Sequence, residues 1–212
     1  MLSKRLLKIA SLINKDDVIY DVGTDHGLLP CYLMKESLCK KAYAIDDKQG
    51  PLDNCIENIN KYHLEGKVIP KLSNGIDDIE DDVTTVIIAG MGFYTLREIL
   101  EGKDLSNKRF IVQINKNLYE FRKYLSDHNY KIINEEIIFD EFYYVIIEFT
   151  SEHAEPLTFE EMQFGPILMK KRSDDYIKFL NYQKSVLLTN NMKYFDPYNE
   201  NLIEIIDRIL GL

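Results

Sequence analysis

Residues 18–27, VIYDVGTDHG, decide the fold of this 212-residue chain. The apolar run from Val18 to Tyr20 predicts a short buried strand, and the acidic and glycine residues after it predict a loop that leads into a helix. Ligands of open parallel sheets bind beyond the carboxyl ends of the strands, where the strand order reverses. The stretch therefore predicts a ligand-binding loop after the first strand of an α/β domain.

Strand and helix patterns alternate on both sides of this stretch. Ser3 is a candidate cap for a helix that runs to about Ile13. Further buried strands are predicted at 42–45, 67–72, 83–89 and 109–112, and helices at 28–37, 51–62, 93–100 and 117–128. Such alternation predicts a parallel sheet with helices on both faces. Residues 130–139 and 142–149 are β-rich with no helix between them, which predicts an antiparallel hairpin. A mostly parallel seven-stranded sheet that ends in a hairpin resembles the Rossmann-like class I methyltransferase fold.

The last quarter of the chain has a helical pattern. Thr158 and Glu161 have the spacing of a capping box, and a long helix is predicted from there to about Thr189. Asn190-Asn191 and Pro197 interrupt the pattern, and Asn201 begins a final helix with one apolar stripe. We predict a methyltransferase-type domain over 1–152 and a C-terminal, coiled-coil-like helical hairpin over 153–212.

Composition narrows the class of protein. Three cysteines without CxxC spacing and four scattered histidines argue against a disulfide framework or a metal site. No segment has the apolar length of a membrane span, and the N-terminus lacks the pattern of a secretion signal, so we expect a cytoplasmic protein. The net charge of −9 argues weakly against nucleic acid as a partner. Three basic clusters are either solvated faces or an RNA surface: Lys4, Arg5 and Lys8; Lys116, Arg122 and Lys123; Lys170, Lys171 and Arg172.

The charges of the first loop indicate the type of ligand. The loop lacks the GxGxxG pattern of dinucleotide sites, because Val22 and Thr24 flank a single Gly23. Asp21 and Asp25 would repel a pyrophosphate but suit the sulfonium and α-amino groups of S-adenosylmethionine. The alternative is that these acids only cap the following helix. The sign of the charge favours S-adenosylmethionine over a nicotinamide cofactor.

Polar and glycine residues follow the next strands as well. Asp46 has the position of an acid that binds ribose hydroxyls, and Asn74 is a candidate partner of the adenine amino group or part of a simple turn. Gly90 and Gly92 around Met91 leave room for a ligand beside the backbone. The candidate cofactor-binding residues are Asp21, Gly23, Thr24, Asp46, Asp47, Asn74, Gly75, Ala89, Gly90, Met91 and Gly92.

Several motifs in order resemble the bacterial tRNA (adenine-22-N1)-methyltransferase family, TrmK. The motifs are SKRL at 3–6, DVGTDH at 21–26, LPCYL at 29–33, GP at 50–51, IAGMG at 88–92, QIN at 113–115 and FGP at 164–166. Four positions depart from the family pattern, namely Leu28, Asn74, Phe93 and Ile114. The resemblance spans nearly the whole chain and implies methyl transfer from S-adenosylmethionine to N1 of an adenine in tRNA.

Four side chains are candidates for the transfer step. A carboxylate near adenine would stabilise the cationic product, which suggests Asp25, with His26 as its orienting partner or as a purely structural residue. Gln113 and Asn115 follow the fifth strand, where amides could read the adenine edge. Phe93 and Tyr94 either stack on the base or pack in the core.

Two other functions remain open from the residues alone. They are a class I methyltransferase for a protein or small molecule, and an RNA-binding module without catalysis. For oligomeric state we expect a monomer or a weak dimer, with no metal.

Overall fold

A computed structural model describes residues 2–212 and contains one seven-stranded sheet in the order β3-β2-β1-β4-β5-β7-β6. The strands are β1 (Val18–Val22), β2 (Lys41–Asp46), β3 (Val68–Leu72), β4 (Thr85–Met91), β5 (Arg109–Ile114), β6 (Tyr130–Asp140) and β7 (Phe142–His153). The first five are parallel, whereas β7 pairs antiparallel with both β5 and β6. The predicted fold is confirmed, and the strand order reverses between β1 and β4, beside the loop that the sequence singles out.

Nine helices are described within residues 2–212. They are α1 (Lys4–Ala10), α2 (Leu28–Lys35), α3 (Gln49–Lys61), α4 (Phe93–Leu100), α5 (Leu118–Asp127), α6 (Phe159–Phe164), α7 (Leu168–Lys171), α8 (Asp174–Lys193) and α9 (Pro197–Leu210). Ser3 caps α1 and Thr158 forms the predicted capping box of α6. Over this part of the chain, no helix has the length and hydropathy that crossing a membrane requires.

Successive residues of each buried strand face two separate cores. On β1, Tyr20 and Val22 belong to one apolar cluster and Ile19 belongs to the other. The first cluster includes residues of α4, α5, α8 and α9, and the second includes residues of α1, α2 and α3. Both faces of the sheet are thereby covered, so the carboxyl ends of the parallel strands are the open edge where a ligand can bind.

The predicted long C-terminal helix is wrong, because α6, α7 and α8 are three helices in its place. Gly165 has φ +89° and ends α6 before Pro166, and Arg172 has φ +48° and ends α7. Ser173 then caps α8, which continues through Asn190 to Lys193. The last helix begins at Pro197 with Asp196 as its cap, four residues earlier than predicted.

A buried ion pair joins the C-terminal helices to the sheet. Arg122 on α5 and Glu135 on β6 are 2.8 Å apart and nearly inaccessible to solvent. Glu135 also accepts hydrogen bonds from the backbone nitrogens of Ile167 and Leu168. A Cβ at Gly165 would lie 2.7 Å from the Glu135 carboxylate, so the motif at this bend needs glycine. Arg122 is therefore structural, which excludes for this side chain both alternatives given for its basic cluster, a solvated face and an RNA surface.

The predicted division at residue 152 stays a prediction. Buried residues of the tail, such as Tyr176, Leu180 and Ile206, share one apolar cluster with the sheet. Met1, the first residue of the predicted first domain, lies outside the described residues.

Candidate active site

The loop after β1 is held against its neighbours by backbone contacts. The Thr24 nitrogen donates a hydrogen bond to the Ile45 carbonyl at 2.9 Å, and the Ser73 nitrogen donates to the Asp46 carbonyl at 3.1 Å. Gly23 has φ +71°, and a Cβ there would lie 2.6 Å from Cε of Met91. The left-handed backbone favours glycine at this position, and the missing side chain leaves room for Met91 at the end of β4.

Asp21 is a buried carboxyl group beneath this loop. The Thr24 hydroxyl donates to its Oδ2 at 2.7 Å, and both residues are almost inaccessible. Burial raises the pKa of Asp21 from 3.8 to about 7, although the Thr24 hydrogen bond acts in the opposite direction. Asp21 therefore shapes the loop and supplies a negative charge that is sensitive to pH near neutrality.

Asp46 ends β2 with its carboxylate held by backbone donors. Oδ1 accepts from the Lys48 nitrogen at 3.1 Å, and Oδ2 accepts a long hydrogen bond of 3.4 Å from the Asp25 nitrogen. These contacts fix the carboxylate before any ligand is present. Each oxygen keeps a lone pair that can accept a ligand hydroxyl.

A cavity of about 380 Å³ lies beside these loops, a size typical of small-molecule sites. It is lined by Val22, Gly23, Ile45, Asp46, Asp47, Ser73, Asn74, Gly75, Asp77, Met91, Thr95, Glu98, Ile99 and Lys103. Six of these are predicted cofactor residues: Gly23, Asp46, Asp47, Asn74, Gly75 and Met91. The predicted residues Asp21, Thr24, Ala89, Gly90 and Gly92 are in the adjoining strand ends and loops but do not line the cavity.

The cavity lining has an excess of negative charge. The lining contains four acidic residues, Asp46, Asp47, Asp77 and Glu98, and one basic residue, Lys103. Lys103 forms an ion pair with Asp77. A pyrophosphate would be repelled here, whereas a sulfonium with an α-amino group would be attracted. The donors and charges present thus fit S-adenosylmethionine.

A hydrogen-bonded amide network lies on the other side of the loop after β4. The fully buried Gln113 accepts at Oε1 from the Gly90 nitrogen, at 3.1 Å, and from the Arg5 guanidinium. Its Nε2 donates to Oδ1 of Asn115 at 3.0 Å, and Nδ2 of Asn115 donates to the Gly90 carbonyl at 2.7 Å. Asn115 is exposed, and its hydrogen bonds to Gln113 and Gly90 hold its amide in one orientation. The amide of Gln113, by contrast, makes all these hydrogen bonds inside the protein.

The predicted catalytic pair Asp25–His26 is exposed at the start of α2. Their side chains are 3.6 Å apart at the nearest atoms, and Asp25 has φ +52°. Asn58 donates to the His26 carbonyl and anchors the loop. Since β4 lies between β1 and β5 in the sheet, the Gly90–Gly92 loop separates this pair from Gln113 and Asn115. No group of three possible metal ligands occurs among residues 2–212.

The two aromatic candidates have different environments. Phe93 is 7% exposed and packs in the core against Phe121 and Tyr124, whereas Tyr94 is 60% exposed. Only Tyr94 is accessible to a base.

Comparison with known proteins identifies the family. Residues 2–147 match a family model described as a methyltransferase domain. A Bacillus subtilis tRNA (adenine(22)-N(1))-methyltransferase is 32% identical over 141 residues, which are 65% of this chain and 59% of that enzyme. The structure of M. capricolum TrmK with S-adenosyl-homocysteine is 34% identical, covers 99% of this chain and 95% of that one, and superposes with a TM-score of 0.80. The chain belongs to the TrmK family.

A second TrmK-like structure agrees over the full length. A Streptococcus pneumoniae protein in complex with S-adenosyl-L-methionine is 30% identical, covers 99% of this chain and 100% of that one, and has a TM-score of 0.89. The likeness includes the C-terminal helices and therefore extends beyond the methyltransferase domain.

Eight residues that line the cavity of this TrmK-family chain are not among the predicted cofactor residues, and four of them belong to α4 or follow it. Thr95, Glu98 and Ile99 come from α4, and Lys103 follows it. A helical signal was available, because Phe93, Leu96 and Leu100 form the core face and leave Thr95 and Glu98 on the opposite side. Asp77 had no such signal, since only its place in the folded loop brings it to the cavity.

Proposed function

We propose that the chain transfers a methyl group from S-adenosylmethionine to N1 of an adenine in tRNA, the adenine at position 22. The observation that carries this proposal is the acidic cavity at the carboxyl ends of β1 and β2, beside an exposed amide at the end of β5. It is supported by the name of the B. subtilis relative and by the cofactor product bound to M. capricolum TrmK.

Residues of the acidic cavity would hold the cofactor. Asp46, with its carboxylate already oriented, is placed for the ribose hydroxyls, and Asn74 for the adenine amino group. Asp21 and the other acids would balance the positive charge. When bound, S-adenosylmethionine supplies a methyl group on a positively charged sulfur.

The acceptor needs little activation from the protein. Adenine N1 has a free lone pair, so the main requirements are position and stabilisation of the cationic ring that forms. We propose that Asn115 contacts the base directly, with Gly90 and Gln113 holding its amide. Gln113, expected from sequence to contact the base, has both ends of its amide engaged and acts as a positioning residue.

Asp25 is the candidate that stabilises the positive charge of the methylated ring or accepts a proton from its amino group. Its side chain is exposed and free to approach a base, and His26 lies within reach of its carboxylate. Base-paired N1 is inaccessible, so the tRNA must expose or flip the target base, at a cost of a few kcal/mol.

Basic side chains of α1 and α7 would bind the tRNA backbone. Lys8 and Lys171, which belong to two separate sequence clusters, both form ion pairs with Glu136 and therefore lie on one surface. Lys4 and Lys170 are exposed on the same two helices. A cytoplasmic protein that acts as a monomer or a weak dimer remains our expectation.

The decisive test is methyl transfer to unmodified tRNA transcripts followed by nucleoside mapping. We expect N1-methyladenosine at position 22 and no product from a transcript with guanine there. Methylation of another nucleotide would reject the assigned position, and transfer to proteins or small molecules without transfer to tRNA would reject the substrate class.

A further inference from the structure

A groove of about 730 Å³, separate from the cofactor cavity, lies between the β6–β7 turn and α8. Aromatic side chains dominate its lining, which consists of Asn115, Phe139, Glu141, Phe142, Tyr143, Tyr144, Phe179 and Tyr182. Phe142 is 68% exposed, Tyr182 is 57% exposed and Phe139 is 47% exposed. Such exposure of neighbouring large rings is unusual for a surface without a partner.

Four of the rings are held in place by contacts with one another. The half-buried Tyr143 has its ring centroid 5.0 Å from that of Phe139, 5.3 Å from that of Phe179 and 6.1 Å from that of Tyr182. A set of mutually packed rings loses little conformational freedom when a flat ligand stacks on it. The groove is therefore preorganised for a planar group.

The groove adjoins the proposed position of the methyl acceptor. Asn115 lines the groove and also donates to the Gly90 carbonyl at the end of β4. The sheet order places β5 and then β7 directly beyond β4, so neighbouring strands at about 4.8 Å bring the groove within a nucleotide's reach of Gly90. A base bound here would be next to the target adenine in the RNA chain.

Charges near the groove suit a nucleotide. The Arg5 guanidinium lies 5.4 Å from the centroid of the Tyr144 ring, and Lys116 is exposed beside Asn115. The acids nearby are Glu141 at the turn and Asp140, which accepts a hydrogen bond from the Arg5 nitrogen. Arg5 and Lys116 thus lie at the end of the groove nearest Gly90, where the phosphate between the two nucleotides would pass.

We propose that this aromatic groove binds an unpaired base of the substrate tRNA that neighbours the target adenine. The inference rests on the proposed function, since it assumes that the target base enters beside Asn115. Stacking on exposed aromatic side chains is a general way in which proteins hold bases that have left a duplex. The groove would hold the RNA open around the flipped adenine.

The test compares tRNA methylation by wild type and by Phe142→Ala/Tyr182→Ala. We expect the double variant to raise KM for tRNA by about 5- to 100-fold, as loss of one stacked base implies, with the Kd for S-adenosylmethionine unchanged. As single substitutions, Phe142→Tyr should retain stacking and the wild-type KM. Phe142→Leu, which keeps apolar bulk but has no ring, should raise KM. Tyr62→Ala, which removes an exposed aromatic ring directly after α3, is the control and should leave KM unchanged.

A transcript with an abasic site beside the target sharpens the test. The abasic site should raise KM for wild type. It should raise KM little further for the double variant, because the rings and the missing base form one interaction. An unchanged KM in the double variant would overturn the groove proposal while leaving tRNA methylation intact. So would a change confined to the oligomeric state in analytical ultracentrifugation, which would assign the groove to a second copy of the chain. Failure of wild type to methylate any tRNA would instead reject the proposed function.

Discussion

The two halves of the sheet's open edge differ in charge and in chemistry. The cofactor half, formed by the loops after β1, β2 and β3, has carboxylates at Asp46, Asp47 and Asp77. The acceptor half, formed by the loops after β4 and β5 and by the β6–β7 turn, has amides, aromatic rings and Arg5. The cofactor half attracts a cationic methyl donor and repels a polyanion, whereas the acceptor half offers the cations Arg5 and Lys116 to an RNA phosphate.

The largest effect is expected at Asp25, in the first loop of the cofactor half. Asp25→Asn keeps a residue that tolerates the left-handed backbone of this position but removes the charge. If Asp25 stabilises the cationic product, kcat should fall by about 100-fold or more. The measurement is single-turnover methyl transfer, with calorimetry to show that S-adenosylmethionine still binds. A kcat near that of wild type would remove Asp25 from the transfer step.

Asp46→Asn tests the cofactor half. Losing charged hydrogen bonds to the ribose hydroxyls should weaken S-adenosylmethionine binding by about 10- to 100-fold, with KM for tRNA unchanged. Isothermal titration calorimetry measures the first quantity and steady-state assays the second. Asp81→Asn, an exposed acid outside the cavity, is the matched control. An equal loss of affinity in both variants would mean that the net negative charge of the protein, and not the Asp46 carboxylate, determines binding.

Arg5→Gln tests the acceptor half. Removing the guanidinium should raise KM for tRNA by about 10-fold and reduce the salt dependence of binding by about one phosphate contact. S-adenosylmethionine binding should not change. Lys61→Gln on α3 removes an equal charge from another surface and should have no such effect. A matching loss in both variants would indicate attraction by net charge alone.

The smallest effect concerns the pH dependence of the cofactor half. The pKa of Asp21 is raised to about 7, so a cationic ligand should draw off its proton, and affinity for S-adenosylmethionine should be a few-fold higher at about pH 8 than at about pH 5.5. Calorimetry in buffers of different ionisation enthalpy should detect proton release below about pH 7 only.

The same shift predicts a trend in stability. The folded protein holds the Asp21 proton up to about pH 7, whereas the unfolded chain loses it near 3.8, so the contribution of Asp21 to stability should decrease as pH rises between these values. Asp21→Asn should abolish both the proton release and this trend. Persistence of the proton release in that variant would assign it to another group.

The sequence predicted the features that depend on local periodicity and on the order of the elements. Alternation of apolar runs with helical segments predicted the parallel sheet, and Asp46 and Gly23 were found because the ends of parallel strands meet at one edge. The breaks at Gly165 and Arg172 were missed, because a helical pattern of apolar residues continues across both bends.

The layered fold, the acidic loops and the sign of the charge on their ligand follow from the residues alone, because these features depend on residue type and local periodicity. The partners of the polar side chains are visible only in the folded protein. The fold places Arg122 in a buried pair with Glu135, engages the amide of Gln113 and brings Glu98 of α4 to the cofactor cavity. Such roles depend on atoms far apart in the chain, and residue spacing carries no information about where those atoms meet.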